Sequence, residues 1–179
     1  RPGEVHAVVG ENGAGKSTLI KILGGVYPAD QGELFLDGIE KRLRSPREAL
    51  ANGIVAIHQE LSLAKHLSTE ENIFLGHFPT RYGAIDRRHM RQRTEQLLGR
   101  LSVEVEAGRP VGELSIAQQQ MVEIAKALSI EARVLILDEP TASLREHEVG
   151  QLFAHLRSLQ RSHVAIIYVS HRLDEVLTL

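Results

Sequence analysis

Cysteine and tryptophan are absent from this sequence of 179 residues, and aromatic residues make up only 4% of it. Without cysteine the chain forms no disulfide, no iron–sulfur cluster and no cysteine-based zinc site. Long hydrophobic runs are also lacking, because the strongest one covers only residues 164–169. A membrane-spanning helix needs about 20 apolar residues, so we expect no such helix in this sequence.

An excess of charge of either sign is lacking as well. Lys and Arg number 21 and Asp and Glu number 23, which gives a net charge of −2. Nucleic-acid-binding domains are usually basic, so we expect no nucleic-acid partner. An apolar content of 42% and a charged content of 25% are typical of a globular domain rather than a disordered chain. Because the sequence starts at Arg1 and stops at Leu179 within an apolar pattern, we interpret it as a piece of a longer protein.

Short apolar runs alternate with helical patterns along the chain. The runs typical of buried parallel strands are Val5–Val9 and residues 54–58, 134–137 and 164–169. Polar residues that predict helix N-caps precede the helical patterns, at Ser45, Asp86, Ser115 and Ser143. This alternation predicts an α/β fold with a parallel sheet.

The domain organisation follows from where the strands lie. The length predicts about one domain, and residues 61–129 have a mostly helical pattern between the first and last pairs of strands. We therefore predict one domain over residues 1–179, with an α/β core from residues 1–60 and 130–179. A helical part at about residues 61–129 is inserted into it. Residues 33–38 predict one antiparallel strand that ends in a turn.

A glycine-rich loop follows the first predicted strand and precedes a helical run. It matches the pattern G-x-x-x-x-G-K-[ST] and consists of Gly10, Glu11, Asn12, Gly13, Ala14, Gly15, Lys16, Ser17 and Thr18. Glycines let backbone N–H groups surround a phosphate, and the helix N-terminus favours negative charge. Lys16 is expected to reach the β- and γ-phosphates, and Ser17 to bind Mg²⁺. The sequence therefore predicts a nucleotide phosphate site here.

Two acidic residues end the predicted strand at residues 134–137. If this strand lies beside the strand of the phosphate loop, both carboxylates reach the same edge of the sheet. Asp138 is then expected to hold Mg²⁺, and Glu139 to act as the general base that faces the attacking water. Solvated acids at an ordinary strand end are the alternative interpretation.

Three further segments accompany these two motifs in a fixed order along the chain. They are Ile57-His58-Gln59-Glu60-Leu61, Leu114-Ser115-Ile116-Ala117-Gln118-Gln119-Gln120 and Val169-Ser170-His171-Arg172. With all five segments, the chain resembles the ATP-binding cassette (ABC) family of transporter ATPases over its full length. The resemblance implies a P-loop NTPase fold, with a RecA-like parallel sheet, an inserted helical subdomain and an antiparallel β part. It also implies ATP and Mg²⁺ as cofactors.

The resemblance implies roles for single residues. Gln59 would sense Mg²⁺ and the γ-phosphate, and His171 would contact the γ-phosphate. The implied catalytic set is Lys16, Gln59, Glu139 and His171, and the implied Mg²⁺ ligands are Ser17, Gln59 and Asp138. The signature residues would contact the ATP held by an opposite cassette, and these are Ser115, Ile116, Ala117 and Gln118.

Residues 114–128 narrow the resemblance to one branch of the family. They are similar to the first cassette of double-cassette ATPases that power bacterial uptake of ribose, xylose, arabinose and galactose. The implied partners are a second cassette in the same full-length chain, a membrane permease and, indirectly, a periplasmic or extracellular sugar-binding protein. The implied location is the cytoplasmic side of the bacterial plasma membrane, with the cassette bound peripherally.

The chain departs from the general family pattern at three places. Ile116 and Ala117 replace both glycines of the common signature Leu-Ser-Gly-Gly-Gln, and side chains there crowd the approach of backbone to phosphate. Arg145 replaces the usual aspartate of the loop that contacts the second cassette. The family also has an aromatic residue and strands before position 1, so we expect an exposed strand edge at residues 34–36 and weakened ATP binding.

Two other functions stay open at this point. One is a non-transport ABC ATPase that acts on ribosomes or DNA, which the near-neutral charge disfavours. The other is a nucleotide-binding module that regulates without hydrolysis, which Glu139 and His171 disfavour. A cluster of arginines, Arg81, Arg87, Arg88, Arg91 and Arg93, is interpreted as a solvated helix face, with the permease or acidic lipid as the alternative partner.

Overall fold

The computed structural model describes residues 2–11 and 13–179. Its strands are β1 (Val5–Val9), β2 (Leu34–Leu36), β3 (Ile39–Lys41), β4 (Ile54–Ile57), β5 (Thr80–Arg81), β6 (Ala84–Ile85), β7 (Val134–Asp138) and β8 (Ala165–Ser170). Its α-helices are α1 (Lys16–Leu23), α2 (Pro46–Ala51), α3 (Thr69–Ile73), α4 (Arg87–Arg100), α5 (Ile116–Ser129), α6 (Glu146–Arg161) and α7 (Leu173–Thr178). A short 3₁₀ helix covers Val111–Glu113.

Four parallel strands form the central sheet, in the order β1-β8-β7-β4. The predicted α/β fold with a parallel sheet is therefore confirmed, and all four predicted strands are present within one residue of their expected bounds. The prediction that the acidic strand lies beside the strand of the phosphate loop is wrong, because β8 pairs with both β1 and β7. The carboxyl ends still meet at one edge, because Val9 is level with Ser170, and Val169 with Asp138.

Both faces of the inner strand β7 are buried, which explains why this strand reads as a continuous apolar run. Alternate residues of β7 point to opposite sides, as strand geometry requires. Leu135 and Leu137 belong to the larger core, which includes residues of α5 and α6. Ile136 belongs to a smaller core on the other face, where it joins Ile20 of α1. Helices on both sides thus fix the edge of the sheet from which the loops emerge.

Helix α1 ends where its glycines predict. Gly24 is its C-cap, and Gly25 adopts a left-handed conformation with φ of 71°. A Cβ on Gly25 would lie 2.3 Å from the carbonyl oxygen of Ser45. Ser45 itself caps α2, because its hydroxyl accepts a hydrogen bond from the N–H of Glu48. Close packing of two helix ends therefore requires a glycine at this position.

Residues 61–129 contain α3, α4, α5 and the 3₁₀ helix, together with one element that the sequence did not predict. This element is the short antiparallel hairpin of β5 and β6. Asp86 follows it and caps α4 as expected, with its carboxylate accepting from the N–H of His89. The buried side chains of α4 that join the larger core are Met90, Leu97 and Leu98.

One local prediction is wrong and another is confirmed. Ser143 does not cap the helix that follows it, since α6 begins at Glu146 with Arg145 as its N-cap. The carboxylate of Glu148 accepts the N–H of Arg145, so the capping interaction lies two residues later than expected. Residues 33–38 do form an antiparallel strand and turn, and β2 pairs with β3 in a two-stranded sheet. Across residues 2–11 and 13–179, none of the helices combines the length and the apolar character that a membrane crossing demands.

Candidate functional site

A cavity of about 420 Å³ opens at the carboxyl ends of the parallel strands. Its lining residues come from the phosphate loop, the loop after β4 and the end of β7: Gly13, Gly15, Lys16, Ser17, Thr18, Gln59, Asp138 and Glu139. Segments that are far apart in sequence thus meet at the edge where α/β proteins bind ligands. Most of the residues proposed from the sequence for phosphate and Mg²⁺ binding therefore line one cavity.

The phosphate loop takes its shape from glycines. Gly13 and Gly15 have φ values of 86° and 93°, in the left-handed region that glycine adopts most readily. Gly15 is the N-cap of α1, so the first N–H groups of that helix point towards the cavity side of the loop. The Lys16 ammonium donates to the carbonyl oxygens of Gly10 at 2.7 Å and Glu11 at 3.0 Å. Asn12 lies outside the described residues.

The phosphate loop offers hydrogen-bond donors to a ligand, and its sequence contains one acidic residue, Glu11. The Ala14 N–H donates to Glu11 O, which closes the turn, and the side chains of Ser17 and Thr18 are exposed. Free N–H groups at a helix N-terminus, next to a lysine, make a site for an anion. This geometry suits a chain of phosphates.

Glu139, which lines the cavity, forms a contact with His171, which lies next to it but is not a lining residue. The Nδ1 atom of His171 lies 3.0 Å from Oε1 of Glu139, although 32 residues separate them in sequence. The side chain of Glu139 is 19% exposed and that of His171 is 51% exposed. The Glu139 N–H donates to the carbonyl oxygen of Val169 at 2.9 Å, which ties the acid to the end of β8.

Asp138 is the last residue of β7 and is half-buried. Burial raises the pKa of its carboxyl above the ordinary value, and the neighbouring Glu139 carboxylate raises it further. His58 and Lys16 act in the opposite direction and lower it. A cation bound next to this carboxyl would lower its pKa, because the cation favours the ionised form.

The oxygen donors of this cavity fit Mg²⁺. Ser17, Gln59 and Asp138 supply a hydroxyl, an amide carbonyl and a carboxylate, which are the hard ligands that Mg²⁺ prefers. Within residues 2–11 and 13–179, no group of three or more His, Cys, Asp and Glu is suited to hold a metal ion by itself. Mg²⁺ commonly uses one or two carboxylates together with phosphate oxygens and water, and the donor set matches that pattern.

The signature residues are not brought into this cavity. Ser115 is the N-cap of α5, and its hydroxyl accepts the N–H of Gln118 while the Gln118 amide oxygen accepts the N–H of Ser115. Ala117 and Gln118 line a separate groove of about 450 Å³ between α5 and α6. Ile116 is 46% exposed at the surface. The capping box that the sequence predicted at Ser115 is confirmed.

Sequence reasoning missed a cluster of buried polar groups behind the cavity. Glu175 of α7 is 3% exposed and accepts hydrogen bonds from Thr141, Tyr168 and Ser170. No sequence signal distinguishes this glutamate from a surface residue, because Asp174 and Glu175 are adjacent acids in a short polar segment.

Comparison with known proteins identifies a family and several similar proteins. The family model described as ABC transporter matches residues 1–142. The ribose import ATP-binding protein RbsA 3 of Rhizobium meliloti is 53% identical over 176 residues, which are 98% of this chain and 34% of that protein. The ribose import ATP-binding protein RbsA of Chromobacterium violaceum is 54% identical over 177 residues, with 98% and 35% covered. The chain thus spans about a third of the length of these curated relatives.

Solved structures agree with the fold. An ATP-binding cassette of an ABC transporter, crystallised in its ADP conformation, superposes with a TM-score of 0.85 at 28% identity, covering 99% of this chain and 74% of that one. The cbiO1 protein of Clostridium perfringens, part of an ABC transporter complex, has a TM-score of 0.83 at 30% identity, with 98% and 70% covered. Together with the family match over residues 1–142 and the glycine-rich loop that lines the cavity, these likenesses show that the chain belongs to the ABC transporter family.

Proposed function

We propose that this chain is an ATP-binding and ATP-hydrolysing cassette that energises the import of a simple sugar through an ABC transporter. The observation that carries this proposal is the contact between Glu139 and His171 at the edge of the cavity that the phosphate loop lines. A phosphate-binding loop alone indicates nucleotide binding. A carboxylate held by a histidine beside that loop adds the groups that hydrolysis needs.

In the proposed reaction the protein acts mainly by positioning and by charge. Lys16 and the N–H groups at the start of α1 hold the phosphates and stabilise the negative charge that develops during transfer. Glu139 accepts a proton from the attacking water, and His171 holds the Glu139 carboxylate in place. Ser17, Asp138 and Gln59 would hold Mg²⁺, which would supply additional neutralisation of phosphate charge.

Further parts of the proposal concern regions outside the cavity. We assign residues 61–129 as a helical subdomain, and Ser115, Ile116, Ala117 and Gln118 as the segment that would face nucleotide on a second cassette. The groove location of Ala117 and Gln118, away from the cavity of their own chain, supports that assignment.

The sugar-import assignment draws on the relatives. The two similar proteins described above are ribose import ATP-binding proteins, and the chain spans only about a third of each. We propose that it is the first of two cassettes in a longer protein, that it binds a membrane permease at the cytoplasmic face of a bacterial plasma membrane, and that a separate sugar-binding protein delivers the substrate.

Substitution of the proposed general base tests the function directly. In the full-length protein, Glu139→Gln should retain MgATP binding and reduce hydrolysis by about 10²- to 10⁴-fold, the usual range for loss of general acid–base catalysis. Phosphate release and calorimetric binding of MgATP measure the two properties. Glu146→Gln, at an exposed glutamate that begins α6, is the matched control and should hydrolyse ATP like the wild type. Wild-type turnover in the Glu139 variant would contradict the proposal.

A further inference from the structure

A buried carboxylate lies directly behind the pair formed by Glu139 and His171. The Oγ1 of Thr141 lies 2.8 Å from both oxygens of Glu175, and the hydroxyls of Tyr168 at 2.8 Å and Ser170 at 3.2 Å donate to its Oε2. The guanidinium of Arg172 forms an ion pair with its Oε1 at 2.7 Å. A carboxylate that is only 3% exposed needs such partners, because an unpaired buried charge is strongly unfavourable.

The hydroxyl of Tyr168 is held as a donor in this cluster. Burial raises the pKa of Tyr168 far above its ordinary value, and the hydrogen bond to Glu175 raises it further. The phenol therefore stays protonated over the whole working range of pH. Tyr168 is fully buried in β8 and its ring meets Phe153 of α6 edge to face, with ring centroids 5.9 Å apart. The carboxylate is thereby anchored to the rigid sheet.

The other donors to this carboxylate come from the two loops that hold the catalytic pair. Thr141 is two residues after Glu139, on the loop that leaves β7. Ser170 and Arg172 are the immediate neighbours of His171, and the Arg172 N–H also donates to the Ser170 hydroxyl at 3.0 Å. One buried acceptor thus joins both loops.

Glu139 also needs such support because of its own backbone. Its φ of 47° is in the left-handed region, which is unfavourable for residues with a Cβ. A residue in that conformation persists only where its surroundings hold it there. The hydrogen bond to Val169 supplies one restraint on its N-terminal side, and Thr141 supplies the next restraint along the chain.

We propose that Glu175 is a positioning residue for hydrolysis, which fixes the Glu139 loop and the His171 loop relative to each other and so maintains the 3.0 Å contact between their side chains. Glu175 is not among the residues that line the cavity. The inference rests on the proposed function, because Glu139 and His171 must act in hydrolysis for their spacing to affect turnover.

Loss of the Thr141 hydroxyl is the most selective test. Thr141→Val keeps the shape of the side chain and removes one donor, while Tyr168, Ser170 and Arg172 still satisfy Glu175. In the full-length protein we expect kcat for ATP hydrolysis to fall about tenfold or more, the loss that corresponds to one charge-assisted hydrogen bond of about 1.5 kcal/mol. The KM for MgATP should stay within about threefold, since the phosphate loop is untouched.

Three further variants test whether the loss of kcat results from the hydrogen bond between Thr141 and Glu175. Thr141→Ser restores the hydroxyl and should recover most of the lost kcat. Glu146→Gln, at the exposed glutamate that begins α6, removes a surface charge and should leave kcat unchanged. Glu175→Gln, which keeps the shape but loses an acceptor, should reduce kcat at least as much as Thr141→Val. A kcat for Thr141→Val within twofold of the wild type would overturn the proposal.

A spectroscopic measurement tests the positioning without activity. The ¹⁵N chemical shift of the His171 ring reports the hydrogen bond at Nδ1, and we expect it to change in Thr141→Val and to return in Thr141→Ser. A lower kcat with an unchanged shift would overturn the proposal, because the effect would then not pass through the pair. Absence of hydrolysis in the wild type would contradict the proposed function instead, and the shift would still decide whether Glu175 positions His171.

Discussion

The two sides of the cavity are built in opposite ways. On the phosphate-loop side, the chemical groups are exposed and the backbone holds them, through left-handed glycines and the first turn of α1. On the acidic side, Glu139 has a left-handed backbone conformation that glycine adopts more easily. Hydrogen bonds among buried side chains, such as that between Thr141 and Glu175, hold the loop in this conformation. Substitutions should therefore affect binding on one side and turnover or stability on the other.

The largest expected effect is on binding at the phosphate-loop side. Lys16→Ala removes the ammonium, and we expect MgATP affinity to fall by about 10²-fold or more, a loss of roughly 3 kcal/mol. The free energy of unfolding should change by less than about 1 kcal/mol, because the side chain is not in the core. Calorimetric titration of MgATP into both proteins measures the affinity. Retained affinity in the variant would contradict the assignment of binding to this side of the cavity, since MgATP binding would then not depend on Lys16.

The next largest effect is expected on the free energy of unfolding, at the backbone that follows helix α1 on the phosphate-loop side. Gly25→Ala places a Cβ 2.3 Å from the carbonyl oxygen of Ser45, at a φ of 71°. We expect destabilisation of about 3 kcal/mol or more, since helices α1 and α2 must move apart. Gly32→Ala is the matched control, because its φ is 94° but nothing lies within 4 Å of the added Cβ. It should cost only about 1 kcal/mol. Equal losses in urea unfolding would show that contact with Ser45 does not matter.

A smaller loss of stability is expected for the N-cap of α2, where this helix packs against the end of α1. Ser45→Ala removes the hydroxyl that accepts the N–H of Glu48 at the start of α2, and we expect a loss of about 1 kcal/mol in the free energy of unfolding. Ser45→Asp should preserve the cap and most of the stability. An alanine variant as stable as the wild type in thermal unfolding would mean that solvent replaces the cap.

The smallest effect is a dependence on pH at the acidic side. Because the pKa of Asp138 is raised in the folded protein, stability from this group falls as pH rises from the ordinary aspartate value, about 3.9, through the raised value. Asp138→Asn should thus stabilise the nucleotide-free protein at pH 7, and by less at pH 4. Urea unfolding at the two pH values measures this gain. A gain that is larger at pH 4 would have the wrong sign for a raised pKa.

Much of the fold was predictable because its signals are local. Apolar runs located the four parallel strands, and Ser45, Asp86 and Ser115 marked helix starts correctly. The hairpin of β5 and β6 was missed, since strands of two residues have too few positions to show an alternation. The start of α6 was misplaced because Glu146 and Glu148 both follow a polar residue by three positions, and only the folded loop selects the second.

Only the site residues that belong to sequence motifs could be predicted. The glycine-rich loop and the acids after β7 identified most residues that line the cavity, since their spacing along the chain carries the signal. Strand order carries no such signal, so the position of β8 between β1 and β7 had to come from the structure. The same holds for Glu175, whose partners lie as far as 34 residues away in sequence.

The insertion of β8 between the strand of the phosphate loop and the strand of the acids sets the width of the cavity between them. Neighbouring strands are about 4.8 Å apart, so two spacings separate these strands by roughly 10 Å. That span is set by backbone hydrogen bonds of β8 to both neighbours, not by any side chain at the edge. Substitutions inside β8, for instance at Ile167, should therefore change the stability of the sheet while the distance between the phosphate loop and the acids stays the same.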